Sequence, residues 1–180
     1  ADLEYANDYV AINRYCDEVN IMAYDQRDVD IILNAQKGKG GLPYLPVADR
    51  EWVEKVIQET VKTIDKKKIR LGVPTFGYEY EMVLGKSDTG LVAGGYSRLR
   101  SITYRDFDGL VKASGMKPFR NAAGELSLFY ISGNSIRIAW ISDSEAVKAK
   151  VALAKKYGLK GVVVWTANGE NDPNLWKVLK

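Results

Sequence analysis

Three short apolar runs set the terms for this chain. They cover residues 19–25 (VNIMAYD), 69–78 (IRLGVPTFGY) and 160–166 (KGVVVWT), and each finishes in polar or aromatic residues. Near-continuous apolar character is the mark of strands buried on both faces, as in a parallel sheet. Amphipathic helical stretches lie between the runs, so the expected core is a parallel sheet with helices on one or both faces. The first and last runs place Tyr24, Asp25 and Trp165 at strand C-terminal ends, where barrel enzymes keep their chemistry.

The helices are read from period and caps. Tyr5, Tyr9, Ile12 and Cys16 form one apolar stripe, which predicts a helix over about 5–16 with Cys16 as a small core residue. Asp49 is the expected N-cap of a helix whose face carries Val53, Val56, Ile57, Thr60, Val61 and Ile64, with Lys66 to Lys68 closing it. Ser142 and Glu145 read as a capping box for a helix through Tyr157 that Gly158 stops. A last helix is expected near Pro173, with Asp172 as its cap.

The block 78–141 follows another rule. Segments 101–104, 126–131 and 136–141 alternate, a short helix is expected over 106–114, and turn signals stand at Asp88-Thr89-Gly90, Ala93-Gly94-Gly95 and Gly133-Asn134. This predicts a small antiparallel α+β domain inserted after the second strand, leaving 1–77 and 142–180 as the alternating part. That part holds roughly 115 residues, and a complete eightfold barrel takes about 250. Three strands cannot close, so the expected fold class is α/β, a partial (β/α)8 barrel with open outer strands. An absent N-terminal half or a second copy would have to cover those edges.

Composition removes several chemistries. The 180 residues contain no histidine, which excludes imidazole-based triads and metal sites, and one cysteine, which excludes an intrachain disulfide framework. A net charge of +3 gives no electrostatic case for a nucleic-acid partner. No apolar run approaches the roughly 20 residues of a membrane span. The start at Ala1, without methionine and close to helical material, reads as a fragment boundary. Residues 37–41 (KGKGG) lack phosphate-loop spacing and read as a loop.

Four motifs in register carry a family resemblance. Met22-Ala23-Tyr24-Asp25 resembles the M-x-Y-D signature on the sixth barrel strand of glycoside hydrolase family 18, the chitinase family. Residues 72–78 (GVPTFGY) are similar to its seventh strand, G-x-P-x-Y-G, after which members often insert a small α+β domain. Residues 140–145 (WISDSE), with Lys148 and Lys150, resemble the segment re-entering the barrel, and 160–165 the eighth strand with its tryptophan.

The resemblance implies substrate-assisted retaining hydrolysis of β-1,4-linked N-acetylglucosamine glycans, chitin or peptidoglycan, one of the departures from the two-carboxylate rule. It implies that Tyr24 donates to the substrate's acetamido carbonyl and that Asp25 holds the acetamido or hydroxyl groups. Trp165 would stack under a sugar ring and Met22 would fill the floor. Tyr78, Tyr80 and Trp140 either line a groove or pack the insertion, and Tyr78 counts among the substrate-binding candidates with Met22, Tyr24, Asp25 and Trp165. No metal or organic cofactor is implied.

The family's acid lies in D-x-x-D-x-D-x-E on the fourth strand. The near-match at 25–32 (DQRDVDII) ends in Ile32, which has no proton to give, and belongs to the sixth-strand exit. Glu170 and Asp172 follow the last strand as a nominal acid pair. The chain alone is therefore expected to be inactive, with the acid outside it and the whole protein secreted or wall-associated. A non-catalytic lectin-like module or a self-associating half-barrel is the alternative.

Overall fold

The computed structural model describes residues 7–37, 43–87, 90–167 and 172–179. The chain runs α1 (Tyr9–Tyr15), β1 (Val19–Ile21), α2 (Gln26–Val29), α3 (Ile31–Lys37), α4 (Arg50–Thr60), β2 (Ile69–Pro74), β3 (Gly77–Ser87) and β4 (Gly90–Ile102). It continues through α5 (Tyr104–Ser114), β5 (Phe119–Arg120), β6 (Leu126–Ser132), β7 (Ser135–Ile141), α6 (Ser144–Tyr157), β8 (Gly161–Trp165) and α7 (Leu175–Val178).

Two sheets result. The first is parallel, in the order β1-β2-β8, with Ile21 opposite Leu71 and Pro74 opposite Trp165. Its helix-covered face packs Ile21, Leu71, Val73, Val162 and Val164 against Val53 and Ile57 of α4, Val147 and Val151 of α6, and Leu175 of α7. Side chains alternate across a strand, so Asn20, Arg70 and Val163 fall on the other face, where Val163 and Asn20 are exposed. Among the described residues nothing pairs with the outer edges of β1 and β8, and the sheet is not closed.

The second sheet is antiparallel, in the order β4-β3-β7-β6-β5. One face packs Tyr80, Ile138 and Trp140 against Tyr44 and Leu45 of the α3–α4 connection. The other packs Leu128, Ala139 and Ile141 against Phe107 of α5. The sheets join at residues 75–77: Thr75 N donates to Trp165 O at 2.8 Å, and Ser142 N to Phe76 O at 3.1 Å. Gly77 permits this crossing, because a β carbon there would lie 1.9 Å from Trp140 O.

Several local expectations hold and several are corrected. Asp49 caps α4 through Glu51 N at 2.7 Å, and Gly158 ends α6 with φ 64°. Gly133-Asn134 turns β6 into β7, with Ser132 opposite Ser135. The expected turn at Ala93-Gly94-Gly95 is instead interior to β4, where Val83 pairs with Gly95 and Leu84 with Ala93, so the extra residue is a bulge. The segment 101–104 is not a strand of its own. β4 ends at Ile102, and Thr103 caps α5 through a reciprocal bond with Asp106.

Helix α4 stops at Thr60, so Lys66 to Lys68 lie in the following turn. Helix α6 is capped by Asp143, which accepts from Ala146 N, and not by Ser142. Asp172 accepts from Ser144 N at 2.7 Å, serving the start of α6 as well as its own turn, while the cap of α7 is Asn174. Cys16 is the exposed C-cap of α1, a helix with no buried residue, so its apolar stripe does not place it in the core. Tyr5, Asp88, Thr89, Glu170 and residues 38–42 lie outside the described residues.

Candidate functional site

The C-terminal ends of β1, β2 and β8 converge with the root of β3. Strand β1 ends at Ile21, so strict alternation does not carry through to Tyr24. The Tyr24 ring lies over Gly72, close enough that a β carbon there would stand 2.9 Å from Tyr24 Cε1. Phe76 meets Tyr24 edge-on at 6.2 Å and Tyr78 edge-on at 5.6 Å, which spaces the two tyrosines.

Asp25 follows in the left-handed conformation, φ 58° and ψ 32°, the one non-glycine residue with positive φ among those described. Aspartate tolerates this region better than most residues, and such outliers gather at functional sites. Tyr78 Oη donates to Asp25 Oδ1 at 2.6 Å. The Arg98 guanidinium lies 4.9 Å from the centre of the Tyr78 ring and donates to Asp28 Oδ2 at 2.7 Å.

Asp25, Phe76, Tyr78, Thr103 and Trp165 line a cleft of about 290 Å3. Trp165 is 56 % exposed there, an indole at the end of β8 with little covering it; the peptide bond to Thr166 is cis. Thr75 Oγ1 donates to Thr166 O at 2.5 Å, tying the exits of β2 and β8 together.

Both phenols keep their protons at neutral pH. Burial, then the nearby Asp25 charge, raises the Tyr24 pKa above its ordinary value. Burial, then the hydrogen bond to Asp25, does the same for Tyr78. Each hydroxyl is therefore a donor, and Asp25 accepts from that of Tyr78.

Of the residues singled out from sequence, the structure brings Asp25, Tyr78 and Trp165 to one cleft, with Tyr24 in edge-on contact with Phe76, which also lines it. Met22 does not line it: it is 73 % exposed and borders a separate cavity of about 670 Å3 with Tyr9, Ile12 and Val56. Tyr80 and Trp140 are buried at 0 % and 2 % exposure and pack the second sheet; neither lines this cleft, and Trp140 borders another cavity, of about 390 Å3, with Tyr44 and Phe129. Ile32 of the near-match is exposed on α3. Among the described residues no cluster of His, Cys, Asp or Glu could hold a metal, and no helix is long and apolar enough to cross a membrane.

Sequence reasoning missed Phe76 as spacer and Arg98 as the cation on Tyr78. Phe76 stands in the motif's aromatic position and could have been found. Arg98 comes from β4, and no local pattern announces it.

The family model for glycosyl hydrolases family 18 matches residues 1–170. The chain belongs to this family. In sequence it is 26 % identical over 181 residues to the uncharacterized glycosylase YvbX of Bacillus subtilis, covering 99 % of this chain and 46 % of that protein. In structure it is similar to the spore cortex-lytic enzyme SleL of Bacillus megaterium, with TM-score 0.72, 22 % identity, and 96 % and 35 % of the two chains covered. It is similar also to a chitinase from Chromobacterium violaceum, with TM-score 0.66, 25 % identity, and 96 % and 47 % covered. This family 18 chain spans about half the length of the relatives it matches in sequence.

Proposed function

We propose that these 180 residues form the strand-six to strand-eight portion of a family 18 (β/α)8 barrel, and that the cleft is part of its sugar site. In this reading residues 1–77 and 142–180 are barrel, and 78–141 are the inserted α+β domain. The substrate is a β-1,4-linked glycan containing N-acetylglucosamine, chitin or peptidoglycan, and the whole protein acts where that glycan lies, outside the cell or in its wall. One observation carries the reading: Asp25, Tyr78 and Trp165, from three distant segments, line one cleft at the ends of parallel strands in a family 18 chain.

Chemically, Trp165 offers a flat apolar face for a pyranose ring. Tyr24, kept protonated, donates to the acetamido oxygen and aims it at the anomeric carbon. Asp25, oriented by Tyr78, accepts from the acetamido N–H or a ring hydroxyl. Proton donation to the leaving oxygen needs an acid that Ile32 cannot supply, so the reading assigns that acid to a segment beyond these residues. By the same argument this chain alone binds without cutting, which also suits a lectin-like module.

Titration with a chitin trimer tests the site: the oligomer should quench tryptophan fluorescence, and Trp165→Ala should abolish the quenching at unchanged Tm. Quenching that persists in Trp165→Ala would place the sugar elsewhere. Sugar release by the pure chain would overturn the assignment of the acid.

A further inference from the structure

The left-handed Asp25 raises the question of what holds it, because its own side chain makes no helix-capping bond. Its φ and ψ depend on the peptide planes on either side, and the plane after Asp25 contains the Gln26 N–H. That group donates to Val47 O at 3.0 Å, and Arg27 N donates to Pro46 O at 3.3 Å. The fully buried Gln26 side chain completes the attachment: its Oε1 accepts from Asp49 N at 2.8 Å, and its Nε2 donates to Asn34 Oδ1 at 3.2 Å. The segment after Asp25 is thus laced to the strap 46–49.

The opposite side of the strap ends on a carboxylate. Glu125, in the turn before β6, is 0 % exposed and accepts from Val47 N at 2.9 Å and Ala48 N at 2.8 Å, one amide on each oxygen. Lys150 of α6, 1 % exposed, stands 3.9 Å from Glu125 Oε1 and donates to Ala146 O. A buried charge is costly unless paired and hydrogen-bonded, and this one has both compensations.

We propose that Glu125 is a positioning residue for Asp25: it hooks the strap 46–49, and the strap fixes the peptide plane that sets Asp25 in its left-handed conformation facing Tyr78 and the cleft. The inference rests on the cleft being the sugar site for its functional meaning, and on backbone hydrogen bonds alone for its mechanism. No shared sequence motif connects residues 25, 47 and 125, and three elements meet only in the folded chain.

The test uses the full chain and compares it with Glu125→Gln and with the double variant Glu125→Gln/Lys150→Met, which removes the buried ion pair as a unit and so avoids an unpaired ammonium. Amide hydrogen exchange is read residue by residue, and chitin-trimer binding by tryptophan fluorescence. The expected result is faster exchange at Val47, Ala48, Gln26 and Arg27 together, by about fivefold or more, the scale of one net hydrogen bond. β2 and β6 should stay as protected as in the parent chain, and trimer affinity should fall by a similar factor.

Faster exchange at Val47 and Ala48 with Gln26 and Arg27 unchanged would overturn the inference. So would a uniform rise across β2, β6 and α6, which is what a merely structural ion pair would give. Should the unaltered chain fail to bind the trimer, the sugar-site reading falls, while the exchange pattern still decides the coupling.

Discussion

Replacing Gly72 with alanine would push a methyl group into the slot that holds the Tyr24 ring. The added carbon would lie 2.7 Å from Ile21 O and 2.9 Å from Tyr24 Cε1, both inside van der Waals contact. The Ile21 carbonyl belongs to the β1–β2 ladder and cannot withdraw without breaking register, so the ring and its strand must shift together. Overpacking of this kind costs about 1–3 kcal/mol, and the backbone contact argues for the upper half of that range. For a chain of this size each kcal/mol moves Tm by about 2–4 °C, which gives a drop of roughly 4–12 °C. Gly109 in α5 is the control: a β carbon there meets nothing within 4 Å, and Gly109→Ala should raise stability by about 0.5–1 kcal/mol through helix propensity. Thermal unfolding followed by circular dichroism gives both shifts, and chitin-trimer titration shows whether the displaced Tyr24 weakens binding. A Gly72→Ala protein with the parent's Tm and affinity would refute the idea that Gly72 seats Tyr24.

Two further outcomes follow from named contacts. Tyr78→Phe keeps the ring under Arg98 but removes the proton donated to Asp25; sugar affinity should fall about fivefold while stability changes by about 1 kcal/mol or less, and equal losses in both would show that the hydroxyl serves only packing. Glu18 bonds Arg70 at 2.9 Å and also pairs with Lys160, and these bonds, Arg70 first, lower its pKa from 4.5 to about 2. A depressed folded pKa means stability that is present above pH 4.5 and lost as the pH falls toward 2, so urea midpoints of the parent and Glu18→Gln should converge over that window. Parallel midpoints from pH 6 to 2.5 would remove Glu18 from the account.

Much of the secondary structure was legible because its causes are local. Each of the three apolar runs holds a strand, as its composition announces, although β1 takes up only Val19–Ile21 of its run, and Asp49 and Gly158 cap their helices through groups one to four residues away. The mistakes fall where two local signals compete. Ser142 and Asp143 both suit an N-cap, and Arg120, donating to Asp143 at 2.5 Å from β5, accompanies the choice of the second. Gly94-Gly95 looks like a turn but is a bulge, because β3 supplies a partner on the far side.

The candidate site divides the same way. Tyr24, Asp25 and Trp165 were legible as strand-end residues of a family motif, because motif and strand are both short-range facts of the chain. That Asp25 is left-handed, that Tyr78 points its hydroxyl at it, that Arg98 covers Tyr78, and that Glu125 hooks the strap behind it were decided by the fold alone. Each depends on groups 20 to 100 residues apart that meet only in the folded chain, and a contact between such groups leaves no periodic trace in the sequence. The sequence by itself determined which strands would form and what stood at their ends; tertiary packing determined which of those ends face one another.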